Sequence, residues 1–126
     1  MNKNYFIILA VIIVIFSLKT YMTPLVREKE AVKVVEIVLE SWKRGDVATP
    51  SSHWAAGKTS SIPPIDKLLS YSIDQKRVYK ENKKWQAEIT VTLELPEGSA
   101  FPSRNQWIFQ LSKSGLGWQV QSFLMN

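Results

Sequence analysis

An uninterrupted apolar run near the N-terminus constrains this chain more than any other feature. From Tyr5 to Leu18 only Ser17 is not hydrophobic, and every residue between Phe6 and Phe16 is apolar. A helix of a small soluble domain buries one face and exposes the other to water, so it carries polar residues along one side. The run therefore predicts a membrane anchor or a cleaved signal peptide.

The flanks of the run favour an anchor. The basic start with Lys3 fits both interpretations, but residues 17–21 offer no small-x-small cleavage site. The 14 residues of the run rise about 21 Å as a helix, which is short of a hydrocarbon core of about 30 Å. Extension through Met22 reaches about 27 Å if Lys19 snorkels to the headgroups. We expect an anchor over residues 1–24, and a secreted protein after signal cleavage is the alternative.

The charges around the run encode its orientation only weakly. One lysine precedes the apolar residues, whereas four cations follow them: Lys19, Arg27, Lys29 and Lys33. This distribution argues against a simple positive-inside assignment. A tail of four residues before a signal-like core commonly stays in the cytoplasm, so we expect the soluble part to lie outside it.

The beginning of the soluble part, residues 25–126, predicts a long amphipathic helix. Pro24 is expected to end the membrane helix, because proline cannot continue a helix without a kink. The next helix, of about 18 residues, has apolar positions every three or four residues and a capping glycine at Gly45. Its apolar stripe consists of Ala31, Val34, Val35, Val38, Leu39 and Trp42.

The remaining residues predict short helices followed by a sheet. We expect helical pieces around residues 52–56 and over residues 64–71, where Pro64 suits the first turn. From Tyr71 onward the apolar residues alternate with period two, as in half-buried strands. The predicted strands cover residues 71–79, 84–95, 104–112 and 118–124. The short loops between them indicate an antiparallel meander in an α+β domain, with the helices packed on one face.

Four motifs at the ends of these elements point to a family. The amphipathic helix ends in WKRGD (residues 42–46), one strand reads W-x-A-x-I-x-V from Trp85, and the chain closes on WIFQL (107–111) and GWQVQSFL (117–124). Over residues 28–125 this order resembles the NTF2-like superfamily of cystatin-like α+β cones, in its small membrane-anchored or secreted bacterial members of unknown function. The resemblance implies helices packed on a curved antiparallel sheet. Members use the cone as an isomerase or cyclase pocket, a binding module or a scaffold in secretion machines.

The composition leaves few catalytic options. The chain has no cysteine and one histidine, which excludes disulfide scaffolds, cysteine nucleophiles and Cys- or His-rich metal sites. Asp46 follows a helix end and is read as a turn cap, and residues 51–53 (Ser-Ser-His) lack triad spacing. One acid–base alternative is Glu88 with Gln110 or Gln119, if the polar sheet face lined a pocket. We expect no cofactor, metal or nucleic-acid partner, and favour a non-enzymatic protein over an enzyme.

Aromatic side chains supply the candidate site. All five tryptophans lie in the soluble part, and those on strands are in apolar register, so they are expected to be core residues. Lining of a ligand pocket or of an interaction surface is the alternative. The candidate residues are Trp42, Trp54, Tyr71, Trp85, Trp107 and Trp118.

Basic side chains gather around the first predicted hairpin: Lys76, Arg77, Lys80, Lys83 and Lys84. A solvated sheet edge protected by lysines accounts for them, and a contact with anionic headgroups or an acidic protein is the alternative. Overall we expect a single-pass, membrane-anchored extracytoplasmic domain that mediates protein interaction or assembly at an envelope membrane. Its partner would be a membrane protein or a second copy. The alternative is a small hydrophobic ligand-binding protein, or an isomerase-like enzyme, that uses the cone pocket.

Overall fold

The protein is one long helix followed by a four-stranded sheet. The computed structural model describes residues 3–46, 48–59, 62–65, 67–99, 101–115 and 117–125. The elements are α1 (Lys3–Lys43), α2 (Thr49–Ser52), β1 (Ser70–Glu81), β2 (Lys84–Glu94), β3 (Arg104–Ser114) and β4 (Gly117–Met125). The strands form one antiparallel sheet in the order β1-β2-β3-β4. The predicted α+β class and the meander are confirmed.

A single helix joins the apolar run to the soluble domain. α1 continues through Pro24, so the predicted break at that residue is wrong. Proline removes one helical hydrogen bond, but its fixed φ is compatible with a helix, and the turns on both sides continue the same hydrogen-bonded ladder. The 41 residues of α1 extend about 62 Å. The N-terminal part of α1 is long and apolar enough to span a membrane, and none of its most apolar stretch is buried against the rest of the protein.

The C-terminal half of α1 covers one face of the sheet. Gly45, with φ of 76°, ends the helix as predicted, and its N–H donates to the carbonyl of Trp42 at 3.2 Å. Val34 is only partly buried at the margin of the stripe. The rest of the predicted stripe is buried: Ala31, Val35, Val38, Leu39 and Trp42.

Alternation along the central strands builds the inner face of the sheet. Every second residue from Ala87 in β2 and from Asn105 to Leu111 in β3 is buried on the inner face, and the intervening residues, most of them polar, take the outer face. The buried residues on these two strands include Ala87, Ile89, Val91, Leu93, Trp107, Phe109 and Leu111. This pattern confirms the period-two alternation predicted for the second strand.

The segment before the sheet differs from the prediction. The short helix α2 covers Thr49–Ser52, ahead of the predicted piece at 52–56, and the described residues between 62 and 69 are not helical. Leu68 N–H donates to the carbonyl of Trp42 at 3.1 Å, and Leu69 N–H donates to the carbonyl of Glu94 at 2.9 Å. These bonds to distant segments replace the helical ones that Pro64 would have started. Asp66 lies outside the described residues.

Both hairpin turns lie at the same end of the sheet. Gln86, near the start of β2, pairs with Ser112, and Ser112 pairs with Gln119 near the start of β4. The β1–β2 turn is the predicted one, and Asn82 and Lys83 adopt φ of 52° and 63° in it. Two residues with positive φ are the requirement of a type I′ hairpin turn.

Candidate functional site

Three of the six candidate residues belong to one buried aromatic cluster. Trp42 of α1, Trp54 after α2 and Trp107 of β3 are each at most 2% exposed. The ring of Phe109 lies 6.2 Å from that of Trp42 and 6.3 Å from that of Trp54, between centroids. Phe123 stacks on Trp107 at 5.0 Å. Rings at these separations contact one another favourably beyond their apolar burial. The cluster fills the space between helix and sheet in the described part of the chain.

Backbone pairing holds Trp54 in this cluster. Trp54 forms a parallel bridge with Val120 of β4. The Val120 N–H donates to the carbonyl of His53 at 2.7 Å, and the Ala55 N–H donates to the carbonyl of Val120 at 2.9 Å. The segment around Trp54 therefore adds a short β-bridge to the edge of the sheet. His53 takes part in this bridge through its backbone carbonyl.

Trp118 lies apart from the cluster, where α1 meets the β3–β4 hairpin. Its indole N–H donates to Oε2 of Glu30 at 3.0 Å, and the Lys113 ammonium donates to the same oxygen at 2.9 Å. Arg27, one turn earlier on α1, donates to Oε1 of Glu30 at 3.0 Å. The Lys113 hydrogen bond, followed by those of Trp118 and Arg27, lowers the pKa of Glu30 to about 2. We name this group of four residues the Glu30 node.

Substituting Glu30 tests what the Glu30 node contributes. We expect Glu30→Gln to lower the free energy of unfolding by about 1 kcal/mol at pH 7, a value reduced for the partial exposure of these groups. Because the folded-state pKa lies below the ordinary value of 4.5, the contribution is complete above about pH 4.5 and is lost as the pH falls towards about 2. Urea unfolding of the full chain in detergent micelles, followed by tryptophan fluorescence, measures both effects.

The control for this measurement is Glu36→Gln, which removes an exposed carboxylate from the same helix. Its unfolding midpoint should stay close to that of the unsubstituted protein. The loss of stability between pH 7 and pH 3 should be smaller in Glu30→Gln than in either of the other two proteins. An identical acid-induced loss in all three would contradict the role given to Glu30.

Tyr71 and Trp85 are half-buried near opposite ends of the β1–β2 pair. The Tyr71 hydroxyl donates to Oε1 of Glu40 at 2.8 Å, and the ammonium of Lys43 lies 5.8 Å from the centre of the Tyr71 ring. Burial and the nearby Glu40 carboxylate raise the pKa of Tyr71 to about 12, so it remains a neutral donor. Trp85 lies beneath Lys80, whose ammonium is 5.5 Å from the ring centre. All six candidate residues thus lie in or against one hydrophobic core: three share the aromatic cluster, and the other three make separate contacts at its margins.

The acid–base alternative falls on the outer face of the sheet. Arg77 Nη1 and the Tyr79 hydroxyl each lie 3.5 Å from a carboxylate oxygen of Glu88. Gln110 stands opposite Glu88 in the β2–β3 register, and Gln119 lies on β4. Burial, followed by the charge of Glu88, raises the pKa of Tyr79. Within the described residues, no three His, Cys, Asp or Glu side chains come together as a metal site.

Asp46 caps the turn that leads into α2. Its carboxylate accepts hydrogen bonds from the hydroxyl of Thr49 and from the backbone N–H groups of Ala48 at 3.0 Å and Thr49 at 3.1 Å. The hydrogen bonds from Thr49 and Ala48 lower the pKa of Asp46. The capping role predicted for this residue is confirmed.

One described cavity, of about 340 Å³, lies at the end of the sheet opposite the hairpin turns. It is bounded by the segment before β1 and by the β2–β3 connection. Its lining includes Pro64, Ile65, Lys67, Leu95, Pro96 and Phe101. Phe101 contacts Trp107 edge-on at 5.3 Å between ring centres, so the cavity is separated from the aromatic cluster by one side chain.

The Glu30 node is the feature of these surfaces that the sequence patterns did not reveal. Its members come from positions 27, 30, 113 and 118, and only the pair on α1 has a local signature, at i and i+3.

The class that the structure defines is an α+β domain with an open four-stranded antiparallel sheet behind a long helix that is long and apolar enough to span a membrane. No known protein family, curated protein or solved structure matches the chain.

Proposed function

We propose that the protein is a single-pass membrane anchor carrying an NTF2-like domain, and that this domain mediates protein interaction or assembly at an envelope membrane. The observation that carries the proposal is α1, because one helix supplies both the candidate span and the cover of the sheet. A domain joined to its anchor in this way presents its surfaces at a defined height above the lipid.

The location of the soluble part outside the cytoplasm belongs to the same proposal. The basic residue Lys3 just before a signal-like apolar core supports this orientation. Glu97→Cys, in the exposed β2–β3 connection, provides a test because the chain has no cysteine of its own. Labelling of intact cells by a membrane-impermeant maleimide is expected. Labelling that requires lysis would place the domain in the cytoplasm.

The surface that we assign to the protein partner is the end of β4. Leu124 and Met125 are 50% and 54% exposed, and Leu124 pairs with Ile108 of β3. β4 is an edge strand, and an isolated bridge joins Trp54 to it at Val120. Edge strands with apolar side chains accept a strand or an apolar patch from another chain. A membrane protein or a second copy of this chain fits that description.

Site-specific cross-linking tests the assignment. Benzoylphenylalanine at Leu124 should give a discrete adduct in native membranes after irradiation, and the same group at Glu97 should give none. An adduct of twice the chain mass identifies a second copy, and another discrete mass identifies a membrane protein. A chain that stays unlinked at both positions and elutes as a monomer from gentle detergent would contradict the proposal.

A small-ligand role is the second candidate, as a hydrophobic ligand-binding protein or an isomerase-like enzyme. The indole N–H of Trp107 is buried and has no hydrogen-bond partner among the described residues. Displacement of Phe101 would connect that N–H with the cavity of about 340 Å³. Native mass spectrometry of the full chain should then show a bound small molecule that Phe101→Ala weakens. The aromatic filling between helix and sheet supports the interaction role instead.

A further inference from the structure

The contacts of α1 determine which end of the sheet faces the membrane. Glu30, shortly after the apolar part of the helix, contacts Lys113 and Trp118 beside the β3–β4 turn. Glu40, further along the helix, contacts Tyr71 at the start of β1. Because α1 runs away from the membrane between these two residues, the end of the sheet with the hairpin turns is the membrane-proximal one.

The hairpin turns reach the level of the lipid headgroups. A hydrocarbon core of about 30 Å takes about 20 helical residues, which end near Pro24 when counted from Tyr5. Glu30 then stands about 9 Å beyond the core, and a headgroup layer is about 5–8 Å thick. The turn residues extend past Lys113 by one or two positions, about 3–6 Å, towards the lipid.

Exposed cations are concentrated in the β1–β2 turn. Lys80, Lys83 and Lys84 are all exposed, with Glu81 as the carboxylate between them. The Glu30 node, beside the β3–β4 turn at the same end of the sheet, contains two cations for one carboxylate. The membrane-proximal end of the domain therefore carries an excess of positive charge at headgroup height.

The backbone conformation at Lys83 is a second, independent observation that points to a function for its charge. Its φ of 63° follows one of 52° at Asn82, and the preferred sequence for such a turn is Asn-Gly. Lysine is therefore less favourable for folding at this position than glycine. Departures from the local sequence preference are expected chiefly at functional or strained sites.

We propose that the β1–β2 turn docks on anionic phospholipid headgroups of the membrane in which α1 is anchored, through Lys80, Lys83 and Lys84. Ammonium groups near an anionic lipid surface each add attraction, and the half-buried Trp85 beneath Lys80 is a residue type favoured at membrane interfaces. The docking rests on the membrane span of the proposed function, and it applies on either side of the membrane.

Distance-dependent quenching in liposomes tests the docking with the full chain. Gly115→Cys, in the β3–β4 turn, carries a fluorophore at the same end of the sheet as the lysines without altering them, and Glu97→Cys at the other end is the matched control. The liposomes contain a headgroup-nitroxide lipid in phosphatidylcholine, with or without phosphatidylglycerol. We expect at least about three-fold stronger quenching at residue 115 than at residue 97. Phosphatidylglycerol should increase it, and 1 M salt, with a Debye length of about 3 Å, should reverse that increase.

A charge-removing variant separates docking from folding. Lys83→Gly with Lys84→Gln should reduce the phosphatidylglycerol-dependent gain at residue 115 by at least about two-fold. Its urea midpoint should stay the same or rise, because glycine suits the turn. Arg44→Gln with Lys67→Gln removes two exposed cations from the opposite end and should leave the gain unchanged.

Each remaining outcome overturns the proposal in an identifiable way. Equal quenching at residues 115 and 97 would refute the orientation of the sheet. Recognition by the turn lysines would be refuted if phosphatidylglycerol and salt did not change the quenching at residue 115. It would also be refuted if both charge-removing variants reduced the phosphatidylglycerol-dependent gain equally. Carbonate extraction checks the span separately, and release of the unsubstituted chain would refute both the anchor and the docking.

Discussion

Trp42→Ala is expected to lower the free energy of unfolding of the soluble domain by about 3–5 kcal/mol, enough to unfold much of it. Trp42 is 1% exposed, and its ring lies 6.2–6.4 Å from those of Trp54, Trp107 and Phe109, between centroids. Alanine leaves a cavity at this position. The helix cannot move towards the sheet to fill it, because α1 is also joined to the sheet through the Glu30 node. The loss therefore combines lost burial with lost ring contacts.

Urea unfolding in micelles, followed by tryptophan fluorescence, measures this loss. Trp85→Ala is the matched control, because that ring is half-buried and contacts Lys80 rather than the aromatic cluster. We expect about 1–2 kcal/mol for it. The Trp42 carbonyl accepts from Gly45 and Leu68 in both proteins, so the comparison isolates the side chain. Similar midpoints for the two variants would contradict the central place of Trp42.

Local patterns predicted the elements whose structure depends on local periodicity. β2 alternates strictly from Ala87 to Leu93, and the α1 stripe repeats every three or four residues, so both followed from burial on one face. Pro24 shows the limit of a local rule, since the helix continues through it. The extended segment at Leu68 and Leu69 shows another limit. Its backbone bonds go to Trp42 and Glu94, more than 20 residues away in sequence.

The candidate site was predictable only in part, for the same reason. Apolar register identified Trp107 as a core residue, and the structure confirms that it is buried. The contact of Trp42 with Trp54 depends on the β-bridge between Trp54 and Val120, which no local sequence pattern encodes. The Glu30 node depends on contacts across more than 80 residues. Spacing along a chain carries no information about such pairs until the fold is known.

Ile12→Arg is expected to remove the chain from the membrane. Ile12 lies in the middle of the apolar run and is exposed on α1. Arginine at the centre of a membrane helix costs about 2.5–3.5 kcal/mol, and the lost isoleucine adds about 0.5 kcal/mol. Together they reduce the inserted population relative to the non-inserted one by about 100-fold or more. The fraction of chain that resists carbonate extraction measures this change.

Met22→Arg is the control. It distinguishes the effect of a charge at the centre of a membrane span from the general effect of replacing an apolar residue of α1 with arginine. Met22 is also exposed on α1 but lies near the predicted membrane interface, where an arginine can snorkel to the headgroups. We expect Met22→Arg to stay in the membrane fraction. Equal retention of the two variants in the membrane fraction would contradict the membrane span. A mature chain shortened by signal cleavage would support the alternative, a secreted protein.

The soluble domain itself should survive Ile12→Arg, because its contacts with α1 involve residues from Glu30 to Trp42, far along the helix from Ile12. We therefore expect the released chain to keep a urea midpoint close to that of the unsubstituted protein, while Trp42→Ala keeps the anchor and loses the fold. This opposite behaviour follows from one helix with two separate apolar surfaces, one long and apolar enough to span a membrane and one packed against the sheet. If Ile12→Arg lowered the midpoint as much as Trp42→Ala, the two halves of α1 would have to be energetically coupled through Pro24.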